Sequence, residues 1–260
     1  AGYGTGAIYG IAVDSSPDVY VSDSISNTVK KFNSSGTELL TFSGYTFSAP
    51  YGLAVSPKTG YIYVADSGNN TIAYFNSSGT YQATFGTAGA GNGQFNSPKD
   101  IAIDSAGNFY VADTGNNRVQ KFDSNMTYVS QWAYSSVSGV AVDNLGNTYV
   151  AAPSTGKISK YDSSGTLIHD FANGVVGSIS EGLGMDVDSS GNLYLANLSN
   201  STNSINQYGV LKFNRANIVK SGTLTLGGSS TTNISTVTNV PMNIGSVTLD
   251  NVGLTGNGDV

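Results

Sequence analysis

The sequence predicts an all-β protein, a β-propeller of four-stranded antiparallel blades with five readable repeats and a partial sixth. Three observations carry this expectation. A 22-residue phrase, clearest at Ile101–Phe122, recurs along the chain. Its apolar runs are short, rich in Val, Ile, Tyr and Phe, and separated by Gly, Asn, Asp and Ser, which is strand-and-turn chemistry. No stretch shows a convincing 3.6-residue apolar period, so almost no helix is expected.

The elements of one unit follow in order. The opening run ends in an oxygen-bearing residue: Asp14, Ser56, Asp104, Asp143 and Asp188, at spacings of 42, 48, 39 and 45 residues. A tight turn follows, as in Asp104-Ser-Ala-Gly-Asn108 and Asp143-Asn-Leu-Gly-Asn147, where Gly or Asn supplies positive φ. The second run is built around Tyr20, Tyr63, Tyr110, Tyr149 and Tyr194. The third run closes on Phe32, Phe75, Phe122, Tyr161 and Phe213. In the first four units a fourth run ends at Phe42, Phe85, Trp132 and Phe171. A four-stranded sheet of this kind has two apolar faces and cannot bury them alone. Radial packing of repeats buries both. The 16 Tyr, 10 Phe and 1 Trp are expected to fill the wedges between blades.

Tyr110-Val-Ala-Asp-Thr-Gly-Asn-Asn-Arg-Val-Gln-Lys-Phe122 resembles the signature of NHL repeats, and Tyr63–Phe75 is a second close match. Gly10-Ile-Ala-Val-Asp14 and Gly139-Val-Ala-Val-Asp143 are similar to the strand that opens such a repeat. The resemblance covers residues 8–225 and fades where Ala152 and Asn197 replace the second Asp. It implies a propeller, most often of six blades. Residues 1–228 are therefore read as the propeller repeats. Residues 229–260 are read as a polar C-terminal segment that starts a sixth blade or forms an assembly arm. Ser246–Asp250 reads as an opening strand and Gly256–Val260 as the approach to a second. An unfinished blade leaves unpaired edges, so either a longer native polypeptide or pairing with another subunit is expected.

Composition narrows the function classes. With no Cys there are no disulfides or thiolate sites. A net charge of −6 with dispersed Lys and Arg argues against nucleic acid. No apolar run is long enough for a membrane span. Low charge and abundant Ser, Thr and Asn point to a secreted or cell-surface protein. The chain has one His, His169, on an expected outer strand, and two Glu, Glu38 and Glu181. One His cannot build a His-rich zinc site, and the outer-strand placement of His169 argues against a Ser-His-Asp triad. Asp23, Asp66 and Asp113 recur with the repeat, which favours a structural role over a calcium site.

The reading is then a non-catalytic extracellular binding or structural scaffold, with no catalytic residue, metal or cofactor. Its partner would be a protein or glycan at the cell surface. One alternative is a filament or surface-layer subunit assembled through the C-terminal segment. Another is an enzyme of the propeller lyase or lactonase kind, which acidic or amide side chains converging on the axis would favour. Asn33, Asn69, Asn76, Asn125, Asn197, Asn200 and Asn233 head glycosylation sequons. The fifth repeat carries an insertion whose Asn200, Asn203, Asn206 and Tyr208 form a candidate binding loop.

Overall fold

The computed structural model describes residues 8–152, 157–171, 184–198, 208–213, 224–225 and 233–234. Blade one is β1 (Ile8–Val13), β2 (Val19–Asp23), β3 (Thr28–Phe32) and β4 (Glu38–Thr41). Blade two is β5 (Pro50–Val55), β6 (Ile62–Asp66), β7 (Thr71–Phe75) and β8 (Tyr81–Phe85). A short parallel pair, β9 (Thr87–Ala88) with β10 (Gln94–Phe95), bridges to the next sheet. Blade three is β11 (Pro98–Ile103), β12 (Phe109–Asp113), β13 (Arg118–Phe122) and β14 (Tyr128–Ala133). Blade four is β15 (Gly139–Val142), β16 (Thr148–Ala152), β17 (Lys157–Tyr161) and β18 (Leu167–Phe171). Blade five shows β19 (Met185–Val187), β20 (Leu193–Leu198) and β21 (Tyr208–Phe213). Beyond it, β22 (Leu224–Thr225) pairs with β23 (Asn233–Ile234).

Each blade is an antiparallel meander in chain order. The only helical pieces among the described residues are single 3-10 turns at Ser67–Asn69 and Thr114–Asn116. The β1–β2 type of hairpin closes as its sequence requires. Gly107, Gly146 and Gly191 take φ of +81°, +79° and +82°. The Asp that opens each of these turns accepts the backbone N–H four residues on, as Asp104 does from Asn108 at 2.8 Å.

The wedges between blades are aromatic, as the composition implied. Between blades two and three, Tyr63, Ala65 and Ile72 meet Ile101, Phe109, Val111 and Phe122. Burying each large side chain here contributes about 1.5–3 kcal/mol. A second link joins blades in series. Asn27, Asn70 and Asn117 sit in the left-handed region at φ of 52°, 55° and 54°. Their side-chain oxygens accept N–H groups at the start of the next blade, from Ala49, Ser97 and Ser136 at 2.6, 2.7 and 2.8 Å.

The inner strands follow one another as β1, β5, β11, β15 and β19. Among the described residues, β1 and β19 do not approach each other as the other consecutive inner strands do. Ile11 is 67% exposed, whereas its counterparts Leu53, Ile101 and Val140 are 5%, 3% and 1% exposed. The expected opening strand at 246–250 lies outside the described residues, as does most of the segment 229–260.

Candidate functional site

The inner strand of each blade has one hydrogen-bonded neighbour, so its other edge faces the axis. Around that axis is a cavity of about 400 Å³ to which all five blades contribute. Its walls are mostly backbone, Gly, Ala and branched apolar side chains. Among the described residues no Lys, Arg or His lines it.

The opening strands align as Gly-Ile-Ala-Val-Asp, Gly-Leu-Ala-Val-Ser, Asp-Ile-Ala-Ile-Asp, Gly-Val-Ala-Val-Asp and Gly-Met-Asp-Val-Asp. The first column is Gly10, Gly52, Asp100, Gly139 and Gly184. The third is Ala12, Ala54, Ala102, Ala141 and Asp186. Each column breaks once. Both breaks are Asp, and both Asp residues line the cavity.

Asp100 is buried. One carboxyl oxygen accepts its neighbour Ile101 N–H at 2.9 Å, and the other accepts Val140 N–H from blade four at 2.9 Å. Gly52 makes room for it, since a methyl group at that position would overlap the Asp100 carboxyl. Burial pushes the Asp100 pKa up to about 8 against the two N–H donors, and the charge of Asp186 adds to the rise. Asp186 opens on the channel, where its Oδ1 accepts the Val187 N–H at 2.8 Å. The surrounding strands strip away enough water to raise its pKa as well, and Asp188 adds repulsion. The two carboxyls therefore feel each other and sit in unlike settings. Asp100 holds its proton near neutrality, while Asp186 keeps an oxygen turned to the cavity. Unlike pairs of this kind divide acid and base roles.

The repeat Asp residues do structural work instead. Tyr20, Tyr110, Tyr149 and Tyr194 donate to Asp14, Asp104, Asp143 and Asp188 at 2.9, 3.2, 3.2 and 3.1 Å. A lysine from the third strand lies over each ring: Lys31, Lys121, Lys160 and Lys212, at 5.2, 5.3, 5.0 and 5.1 Å. Asp23, Asp66 and Asp113 are turn acceptors. Asp66 takes Ser48 N–H and the Tyr45 hydroxyl at 2.8 and 2.7 Å, and Asp113 takes Asn96 N–H and Arg118 Nε at 2.8 and 2.7 Å. Among the described residues no three His, Cys, Asp or Glu side chains form a metal-holding group.

The described residues singled out from the sequence do not come together in one place. His169 lies on β18, the outermost strand of blade four, paired with Lys160. Asn33 and Asn76 head exposed turns, each oxygen accepting two backbone N–H groups. Asn125 occupies the matching turn of blade three. Asn69 differs. Its amide nitrogen donates to Asp66 at 2.6 Å and to the Thr46 carbonyl at 3.0 Å, and a glycan there would replace one of the two N–H donors. Asn197 pairs with Gly209, Tyr208 with Leu198, and Asn233 with Thr225 along their strands. Asn200, Asn203 and Asn206 lie outside the described residues.

Comparison with known proteins agrees with the architecture. The model of the NHL repeat matches residues 95–122. No curated protein matches by sequence. Among solved structures, a virginiamycin B lyase from Staphylococcus aureus superposes with a TM-score of 0.57 at 15% identity, over 81% of this chain and 70% of that one. A gluconolactonase from Xanthomonas campestris gives 0.61 at 17% identity, over 80% and 73%. A chain of a nidogen/laminin complex gives 0.59 at 16% identity, over 74% and 72%. The expectation of a chain without catalysis does not stand. Two of these similar propellers are enzymes, and an inventory of His and Glu overlooked the acids on the axis.

Proposed function

We propose that this NHL-repeat β-propeller binds a small molecule in its axial channel and acts on it by acid–base chemistry at Asp100 and Asp186. One observation carries the reading. The only departures from Gly in the first column and Ala in the third are two carboxyls, and both are turned into the same cavity. In this reading Asp186, with its open oxygen, is the base. Asp100, protonated near neutrality, is the acid. The likeness to a lyase and a gluconolactonase supports two reaction classes, elimination after proton abstraction and ring-ester hydrolysis.

The test compares the wild type with Asp186→Ala and Asp100→Gly on lactones and on substrates with a β-leaving group. Both variants restore the residue that the other blades carry, so the fold is expected to persist. Turnover that drops roughly a hundredfold or more in each variant supports the assignment. Turnover untouched by both would remove the two carboxyls from the chemistry.

A second reading is protein recognition at blade one, supported by the exposed Ile11 and Val13 and by the likeness to a chain of the nidogen/laminin complex. The Ser-, Thr- and Asn-rich composition supports an extracellular setting for either reading.

A further inference from the structure

We propose that the molecule held in the axial channel is an organic ammonium, a protonated amine carried on an apolar body. The inference rests on the channel being the ligand site and adds the chemistry of what it selects.

The charge of the cavity is one-sided. Among the described residues two carboxyls and no Lys, Arg or His line it, and the whole chain carries a net charge of −6. The two acids are not equivalent as ligands. Both Asp100 oxygens already accept backbone N–H groups, from Ile101 and Val140. Asp186 uses Oδ1 on its own neighbour Val187, and among the described residues its Oδ2 accepts no hydrogen bond. The open acceptor of the cavity is therefore a single carboxylate oxygen.

The backbone adds acceptors of the same polarity. Among the described residues each of β1, β5, β11, β15 and β19 has one hydrogen-bonded neighbour, and its free edge offers carbonyl as well as N–H groups. An ammonium donates up to three hydrogen bonds, which the Asp186 carboxylate and edge carbonyls can accept. The remaining wall suits the body of such a ligand: the half-buried Ala54, Val55, Ala102, Ile103, Val142 and Met185 line the same space.

Other ligand classes fit less well. An anion would meet Asp186 with no compensating cation. A divalent metal needs more oxygen ligands than one free carboxylate offers, and the N–H groups on Asp100 point their positive ends at its oxygens. A neutral polyol would bring no positive charge to pair with Asp186.

The experiment is calorimetric titration of the full 260-residue chain at low ionic strength and pH 7.5, with three probes of one shape: 2-phenylethylamine, 2-phenylethanol and phenylacetate. Three variants accompany the wild type. Asp186→Ala installs the residue of the other four blades, Asp186→Asn keeps the size without the charge, and Ala102→Trp fills the channel. The expected result is saturable binding of the amine, weakened tenfold or more in both Asp186 variants and abolished by Ala102→Trp, with the alcohol and the carboxylate at least tenfold weaker. Binding of the alcohol or carboxylate as tight as the amine, yet abolished by Ala102→Trp, would overturn the ammonium inference and leave the channel as a ligand site. Amine binding unchanged in the Asp186 variants would overturn it as well. No saturable binding of any probe would count against both the ammonium and the channel.

Discussion

The Asp100 carboxyl crosses the boundary between blades three and four to accept the Val140 backbone N–H at 2.9 Å. The other blades have glycine where Asp100 stands. This contact joins two inner strands through a group whose pKa burial has pushed up to about 8. It makes stability depend on pH in a definite direction. In the unfolded chain the group titrates near 3.8. Between that value and about 8 the folded state keeps a proton that the unfolded state has lost, so stability falls as pH rises through the window. The slope from this one group is at most about 1.4 kcal/mol per pH unit. Asp100→Gly is expected to flatten the profile between pH 5 and 8. Urea unfolding of wild type and variant at several pH values measures it, and parallel profiles would refute the assignment.

Gly52 and Asp100 form a second testable pair. A β-carbon at 52 would run into the Asp100 carboxyl and crowd its backbone. Gly52→Ala is expected to cost about 1–3 kcal/mol, the ordinary range for overpacking a tight interior. In an Asp100→Gly background the same change should cost less, because the carboxyl is gone and only the backbone contact remains. Equal costs in the two backgrounds would show that the carboxyl does not set the requirement for glycine.

Most of the fold was readable because the repeat states each strand five times. Tyr63, Tyr110 and Tyr149 do occupy equivalent buried places, and Gly107 and Gly146 do take positive φ. The proposed site was readable in principle, in residues that an inventory of His and Glu passes over. His and Glu were counted, while Asp was assigned to turns, which is correct for Asp14, Asp104, Asp143 and Asp188. Asp100 and Asp186 differ only by column. They stand where the other blades carry Gly and Ala, and a column-by-column reading would have isolated them. The link made by Asn27, Asn70 and Asn117 was not readable, because a turn Asn looks the same whether it serves its own loop or the next blade.

That interblade link predicts a graded series at Asn117. Its oxygen accepts Ser136 N–H at 2.8 Å, and its own φ is 54°. Asn117→Gly keeps the left-handed conformation and loses the bond, for an expected cost of about 1 kcal/mol. Asn117→Ala loses the bond and also adds backbone strain, which brings the cost to about 2–3 kcal/mol. Chemical denaturation ranks the three proteins. Alanine tolerated as well as glycine would mean that the positive φ is not required.

Blade two offers the sharpest test of the repeated Tyr–Asp–Lys arrangement, because it lacks two of the three parts together. Ser56 stands where the other blades have Asp, and Tyr74 stands where they have Lys. Tyr74 instead stacks on Tyr63 at 5.2 Å, with an interplanar angle of 21°, and on Tyr61 at 6.1 Å. The paired loss has a physical reason. An Asp at 56 would lack the cation that its counterparts have nearby, as Lys31 is to Asp14 at 3.7 Å and Lys160 to Asp143 at 3.8 Å. A Lys at 74 would give up the aromatic stack without gaining an anion. Ser56→Asp and Tyr74→Lys are each expected to destabilise the protein by about 1 kcal/mol or more. The double variant rebuilds the arrangement of the other four blades, so its cost should fall short of the sum by about 0.5–1.5 kcal/mol. A double-mutant cycle by urea unfolding reads that coupling directly. Strict additivity would mean that Asp and Lys act independently in every blade, and that their joint absence from blade two has no energetic cause.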